Sequence, residues 1–180
     1  MCRLALKTAR EPFSPYEVLT AMEAIKEGYD GSGLGLLLRG MEFEDFKYNP
    51  RFPILSGIAH TEKAWHRMTD YMEEMEYELK YDHRFAMHPG LIEATDRYRY
   101  FMRAYRMPVA FRNESDDIRE AELLRARLAL RKLSTVEDQL TIFSFYPDVA
   151  MIKEVGWPMK IGDTLCLHDG QLKSRVCTAQ

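Results

Sequence analysis

The stretch that most constrains this fold is "QLTIFSFYPDVAMIKEVG" at residues 139–156. Two apolar-rich runs flank Pro147-Asp148. Proline cannot donate to a strand ladder, and aspartate readily bonds its own backbone in a turn. The pair therefore predicts two strands joined by a tight turn, which makes them antiparallel. Three further apolar or aromatic runs, "LGLLLRG", "FPILSGIA" and "ATDRYRYFMRAYRM", carry strand character without a helical period. A sixth strand is expected from Cys2 to Lys7, at the start of the chain.

Helices interrupt these strands. "SPYEVLTAMEAIKEG" offers Ser14 as a cap, Pro15 for the first turn and Glu17 three residues after Ser14, the spacing of a capping box. Val18, Met22 and Ile25 follow at helical spacing, Leu19 widens the apolar face, and Gly28 is the expected terminator. Thr61 to Leu79 reads as a helix carrying Trp65, Met68, Met72 and Met75, a stripe expected to pack in a core. Ser115 to Lys132 reads as a third, acidic at its start and basic at its end, which complements the helix dipole. Residues 42–50 and 81–94 are expected to be irregular, Pro89-Gly90 breaking the second. The tail mixes a turn, a short helix and a final apolar run. The whole is an α+β pattern in one domain, 1–180.

A net charge of −3 and a pI near 6.0 give no general attraction to nucleic acid or to acidic membranes. Arg97, Arg99, Arg103 and Arg106 cluster, and are read as a solvated face. No apolar run approaches the roughly 18 residues of a membrane helix. Three cysteines, at 2, 166 and 177, form no disulfide framework, so a reduced, cytoplasmic protein is expected. The histidines at 60, 66, 83, 88 and 168 lack metal-ligand spacing, and "GSGLG" lacks the lysine of a phosphate loop. Neither a metal nor an organic cofactor is implied.

The candidate chemistry begins at Cys2. Once the initiator methionine is trimmed, its thiol and a free α-amino group belong to the same residue. The amine titrates near 7.7 to 8.0 in model peptides, so it can accept the thiol proton at cellular pH. Nucleophile and base then arrive together, suited to attack on an acyl group such as a carboxamide. Equally, Cys2 could be a small apolar residue of an edge strand.

Directly after the first helix the chain reads Gly28-Tyr29-Asp30-Gly31-Ser32-Gly33. Alone, these glycines suit a helix cap and a tight turn. Together with Cys2 and the strand–helix–loop–strand order, they resemble the class II glutamine amidotransferases, the N-terminal-nucleophile glutaminases. In that family an R-G-x-D-S/G-x-G loop follows the first helix. Here Glu27 stands at the arginine position. "FSFYPDVAMIKEVGWP", with Lys153 and Gly156, and the opening "CRLAL" resemble the glutamate-synthase-like branch. The resemblance implies an αββα sandwich of antiparallel sheets between helices, with Cys2 as nucleophile and Gly28, Asp30 and Gly31 at the substrate. It further implies glutamine as substrate and an ammonia-accepting synthase subunit or domain as partner.

Two family motifs have only echoes. In "GIAHTEKAWH", Glu62 occupies the place of the arginine that holds the glutamine carboxylate, and would repel it. In "HDGQL", Asp169 replaces the asparagine of H-N-G-E, and an ionised aspartate donates no hydrogen bond to an oxyanion. Both are read as decoys. The expectation is that the true motifs lie beyond Gln180 and that 1–180 is the N-terminal part of a longer domain. Two alternatives stay open: another N-terminal cysteine amide hydrolase, and a non-catalytic regulatory or interaction domain.

Overall fold

The structure is a computed structural model that describes residues 3–25, 33–85 and 99–180, leaving aside the side chains at 84 and 99. In chain order the elements are β1 (Ala5–Phe13), α1 (Tyr16–Ala24), β2 (Leu34–Arg39), β3 (Glu42–Phe43), β4 (Pro53–Ala59), α2 (Glu62–Glu74), β5 (Glu78–Arg84) and β6 (Arg99–Arg106). A short 3-10 turn at Val109–Phe111 precedes α3 (Asp116–Lys132), β7 (Leu140–Pro147), β8 (Val149–Glu154), α4 (Pro158–Thr164) and β9 (Leu172–Ala179). The class is α+β, and the strand pairs with a defined register are antiparallel. The chain forms two compact units.

The first unit holds the described residues up to Asn49, Phe85, and Met151–Gln180. Its strands run in the order β1-β9-β2-β8, and β3 also pairs with β9. The central strand is thus the last in sequence. β1 extends to Phe13, well past the expected Lys7, because β9 supplies partners as far as Phe13↔Ser174 across a register shift. α1 buries Val18, Leu19 and Met22. α4 approaches it closely through Gly162, where a Cβ would come within 2.8 Å of both Leu19 Cδ1 and Tyr16 Cδ2. The Tyr16 hydroxyl donates to Asp163 at 2.6 Å, which locks the pair.

The start of α1 departs from the expected capping box. Ser14 Oγ donates to the Leu167 carbonyl at 2.6 Å and accepts from the Tyr16 N–H at 3.2 Å, while Glu17 pairs with Lys7. Tertiary partners have taken both side chains. The helical turn ends at Ala24; Gly28 lies outside the described residues.

The second unit holds Pro50–Arg84 and the described part of Asp96–Ala150, with strand order β7-β4-β6-β5. Thr61 caps α2, its Oγ1 accepting from the Ala64 N–H at 3.1 Å. Ala64, Met68 and Met72 stack along its buried face, and α3 contributes Leu123, Ala126 and Leu130 to the same core. α2 ends at Glu74 instead of Leu79. Glu76 turns left-handed at φ 59°, and "ELKYDHR" becomes β5 against β6. Residues 81–84, expected as loop, therefore belong to a strand. The hairpin turns where expected, with Asp148 at φ 53° and Tyr146 opposite Val149.

Arg103 corrects a second expectation, since it is buried rather than solvated. Its guanidinium meets Asp82 at 3.1 and 3.4 Å and lies 4.5 Å over the Trp65 ring. Arg106 is exposed and faces Glu78 at 3.8 Å. In the same unit, buried Glu122 receives Arg125 through two 2.8 Å contacts and Tyr77 at 3.2 Å. Burial drives the Tyr77 phenol far above its ordinary value.

Candidate functional site

Cys2, Gly28, Asp30 and Gly31 all lie outside the described residues. Their described neighbours on either side are Arg3 after the cysteine, Ala24 and Ile25 before the glycine loop, and Gly33 after it. These neighbours occupy one end of the first unit's sheet. Ala5 of β1 and Leu36 of β2 both stand opposite Ala179 of β9. One residue further out, Gly35 and Gln180 exchange backbone hydrogen bonds at 2.8 and 3.0 Å.

Gly33 has φ +104°, a conformation that side chains rarely adopt, and a Cβ there would sit 2.8 Å from the Glu154 carbonyl. Gly33 thus sits tight against the end of β8, within the Lys153–Gly156 segment. Lys153 is exposed at that end, and Gly156 has φ +149°. Burial raises the Glu154 carboxyl above the usual carboxylate range, although the Val155 N–H, donating at 2.7 Å, pulls the other way.

Arg3, Leu4, Ala24 and Ile25 line a pocket of about 400 Å³. It joins the flank of the cysteine to the flank of the loop. Arg3 Nη1 is buried and has no hydrogen-bond acceptor among the described residues, whereas Leu4 is 61% exposed. Sequence reading did not single out Arg3. Its one signal was a charge directly behind the cysteine, in a strand otherwise opening with small and apolar residues.

The two motif echoes serve local structure. Thr61 caps α2, and Glu62 sits exposed on its first turn with His66 at 3.5 Å. His60 reaches Thr141 at 3.2 Å, and partial burial lowers its pKa. Asp169 accepts from the Gln171 N–H at 2.9 Å, closing a turn in which Gly170 takes φ +83°. Ser144, in the hairpin's first strand, is buried against Ser56 at 2.7 Å. Cys166 and Cys177 are buried free thiols, and burial pushes Cys177 up to about 12. Thiols so protonated make poor nucleophiles.

A larger cavity of about 540 Å³ lies in the second unit beside the start of α3. Arg51, Arg112 and Arg119 line it together with Glu114, Asp116 and Glu120, so its charges balance within the wall. Among the described residues no group of three or more His, Cys, Asp or Glu side chains is placed to hold a metal ion. Among them, too, no helix is long and apolar enough to cross a membrane. In comparisons with known proteins, no family model matches the chain and no curated sequence aligns with it significantly.

Proposed function

We propose that this chain performs the glutaminase half-reaction of a class II glutamine amidotransferase, with Cys2 as the N-terminal nucleophile. The observation that carries the reading is the shared pocket of Arg3, Leu4, Ala24 and Ile25. Residues adjoining the cysteine and residues adjoining the Gly28–Gly33 loop meet there, and Gly33 packs on the Lys153–Gly156 segment. The family's chemistry needs those three segments together. The antiparallel α+β architecture suits the sheet-and-helix make-up of an αββα sandwich.

In the reaction the Cys2 α-amine takes the thiol proton and the thiolate adds to the glutamine carboxamide carbon. The C–N bond then breaks, the leaving nitrogen gains a proton, and ammonia departs, leaving a γ-glutamyl thioester. Water hydrolyses the thioester, releasing glutamate and restoring the thiol. Ammonia passes to a synthase subunit or domain of the glutamate-synthase type. Gly28, Asp30 and Gly31 seat the substrate beside the thiol.

The test has two parts. Intact mass establishes whether Met1 is removed, and a retained methionine excludes this mechanism by blocking the amine. Ammonia release from L-glutamine is then compared between the chain and Cys2→Ala, with a loss of at least about a thousandfold expected for a missing nucleophile. Equal rates would end the proposal. The competing reading is a non-catalytic domain of the same fold. Glutamine binding without ammonia release, from a chain whose Cys2 amine is free, would select that reading.

A further inference from the structure

We infer that this chain pairs with a second copy of itself through the outer face of α3, the two helices lying antiparallel. Such a dimer would form whether or not the chain is a glutaminase, and every residue it uses lies in the second unit.

A helix on a protein surface normally turns polar residues outward. α3 departs from that rule. Its inner face carries Glu122, Leu123, Ala126 and Leu130, all buried. With about 100° of rotation per residue, the opposite side carries Asp117, Ala121, Leu124, Leu128 and Arg131, each of them exposed. Leu124 is 55% and Leu128 49% exposed. Scattered exposed leucines are ordinary on a surface. These instead belong to a row spaced by four, three, four and three residues, the spacing of a seam by which one helix packs on another.

Charge identifies what covers the seam. It starts on acidic Asp117 and ends on basic Arg131, with Lys132 beside it. None of these three has an ion pair among the described residues, whereas Asp116, Glu120 and Glu122 already hold Arg119, Tyr146 and Arg125. Asp117 and Arg131 stand equally far from Leu124, about 10 Å along the axis on either side. A second α3, turned end for end about a twofold axis at Leu124, therefore sets each copy's Asp117 beside the other's Arg131 and Lys132. It also brings Ala121 near the other copy's Leu128, a small residue facing a large one on each side of the axis. A parallel pair would set like charges together. A surface that complements itself under a twofold is what an isologous dimer requires.

One helix pair covers less than the roughly 800 Å² per partner of a standard interface. Association should therefore be reversible and weaker than about 1 μM.

Sedimentation equilibrium of the whole chain, at protein concentrations up to about 1 mM, measures it. The mass should rise from the 21.1 kDa monomer toward twice that value. Leu124→Glu places two carboxylates at the axis and should weaken the dimer at least about tenfold. Asp117→Lys, and separately Arg131→Glu combined with Lys132→Glu, should each weaken self-association by about tenfold, through like charges at both ends of the seam. Mixed in equal amounts, those two variants should associate about as tightly as the parent, because each now complements the other. All the substituted side chains are exposed, so far-ultraviolet circular dichroism should match the parent in every variant. A parent that stays monomeric up to about 1 mM, or a dimer left intact by folded Leu124→Glu, would overturn the inference. So would folded charge variants that dimerise as the parent does, or that fail to recover association when mixed.

Discussion

Gly57→Ala is the sharpest test of how β4 is held in the second unit. An ideal Cβ at Gly57 would lie 2.2 Å from the Thr141 carbonyl oxygen, 2.8 Å from Phe101 Cζ and 3.2 Å from the Thr141 carbonyl carbon. Close carbon–oxygen contacts in sheets settle near 3.3 Å, so β7 would have to retreat by about 1 Å. It cannot do so freely, since the β4–β7 register shifts between Ser56 and Gly57 and every residue of β4 is buried. The Phe101 ring is confined too, edge-on to Trp65 at 5.9 Å. Overpacking of this kind costs about 1–3 kcal/mol, and the forced backbone movement places it at the upper end. Replacing glycine returns only about 0.4–1 kcal/mol through the unfolded chain.

The net expected loss is therefore about 2 kcal/mol, or roughly 4–8 °C in Tm for a chain of this size. Gly35→Ala is the matched control. Its Cβ would meet only the Gln180 carbonyl at 3.9 Å and Lys153 Cγ at 4.0 Å, so the variant should be neutral or up to about 1 kcal/mol more stable. Urea unfolding followed by far-ultraviolet circular dichroism, read as midpoint shifts at constant slope, measures both. If the two variants agree within about 0.5 kcal/mol, the steric argument is wrong.

Alkaline pH should destabilise the fold. Burial holds Cys177 and Tyr105 each at about 12, above their ordinary values, so the folded state keeps protons that the unfolded chain releases. Their stabilisation is intact below the unfolded values, near 9 and 10, and is lost as pH rises through about 12, at up to about 1.4 kcal/mol per pH unit for each group. Tm measured from pH 8 to 11 should fall with increasing slope, and Cys177→Ala should flatten it; a flat parent profile would refute the assignment. Asp82→Asn should cost about 2–4 kcal/mol, because it strips the charge partner from buried Arg103, whereas Glu62→Gln at the exposed His66 contact should change stability by less than about 0.5 kcal/mol. Denaturant midpoints compare the two, and equal effects would contradict the burial of the Arg103 pair.

Where one segment's own pattern was decisive, the fold was legible. β2, β4, β6, α3 and the Pro147-Asp148 hairpin follow from apolar runs, the end charges of α3 and turn chemistry acting over a few residues. Capping at α1 was misread because Ser14 and Glu17 have partners at Leu167 and Lys7, outside the local window. The helix–strand boundary at Glu76 was missed because the apolar spacing of α2 runs on into β5, and the left-handed turn there falls on a glutamate rather than a glycine.

For function the division is similar. The sequence by itself determined the chemical candidates: a cysteine able to carry its own base, a glycine-rich Asp30 loop, and strand, helix and loop in the order that suits them. Only the tertiary structure decided which residues stand beside them. β9 comes last in the chain, and its antiparallel register sets Ala5 and Leu36 against the same Ala179. At that end of the sheet Arg3 and Leu4 share a pocket with Ala24 and Ile25, and Gly33 packs on the end of β8. No local pattern encodes that meeting, because it depends on pairing between strands from opposite ends of the chain.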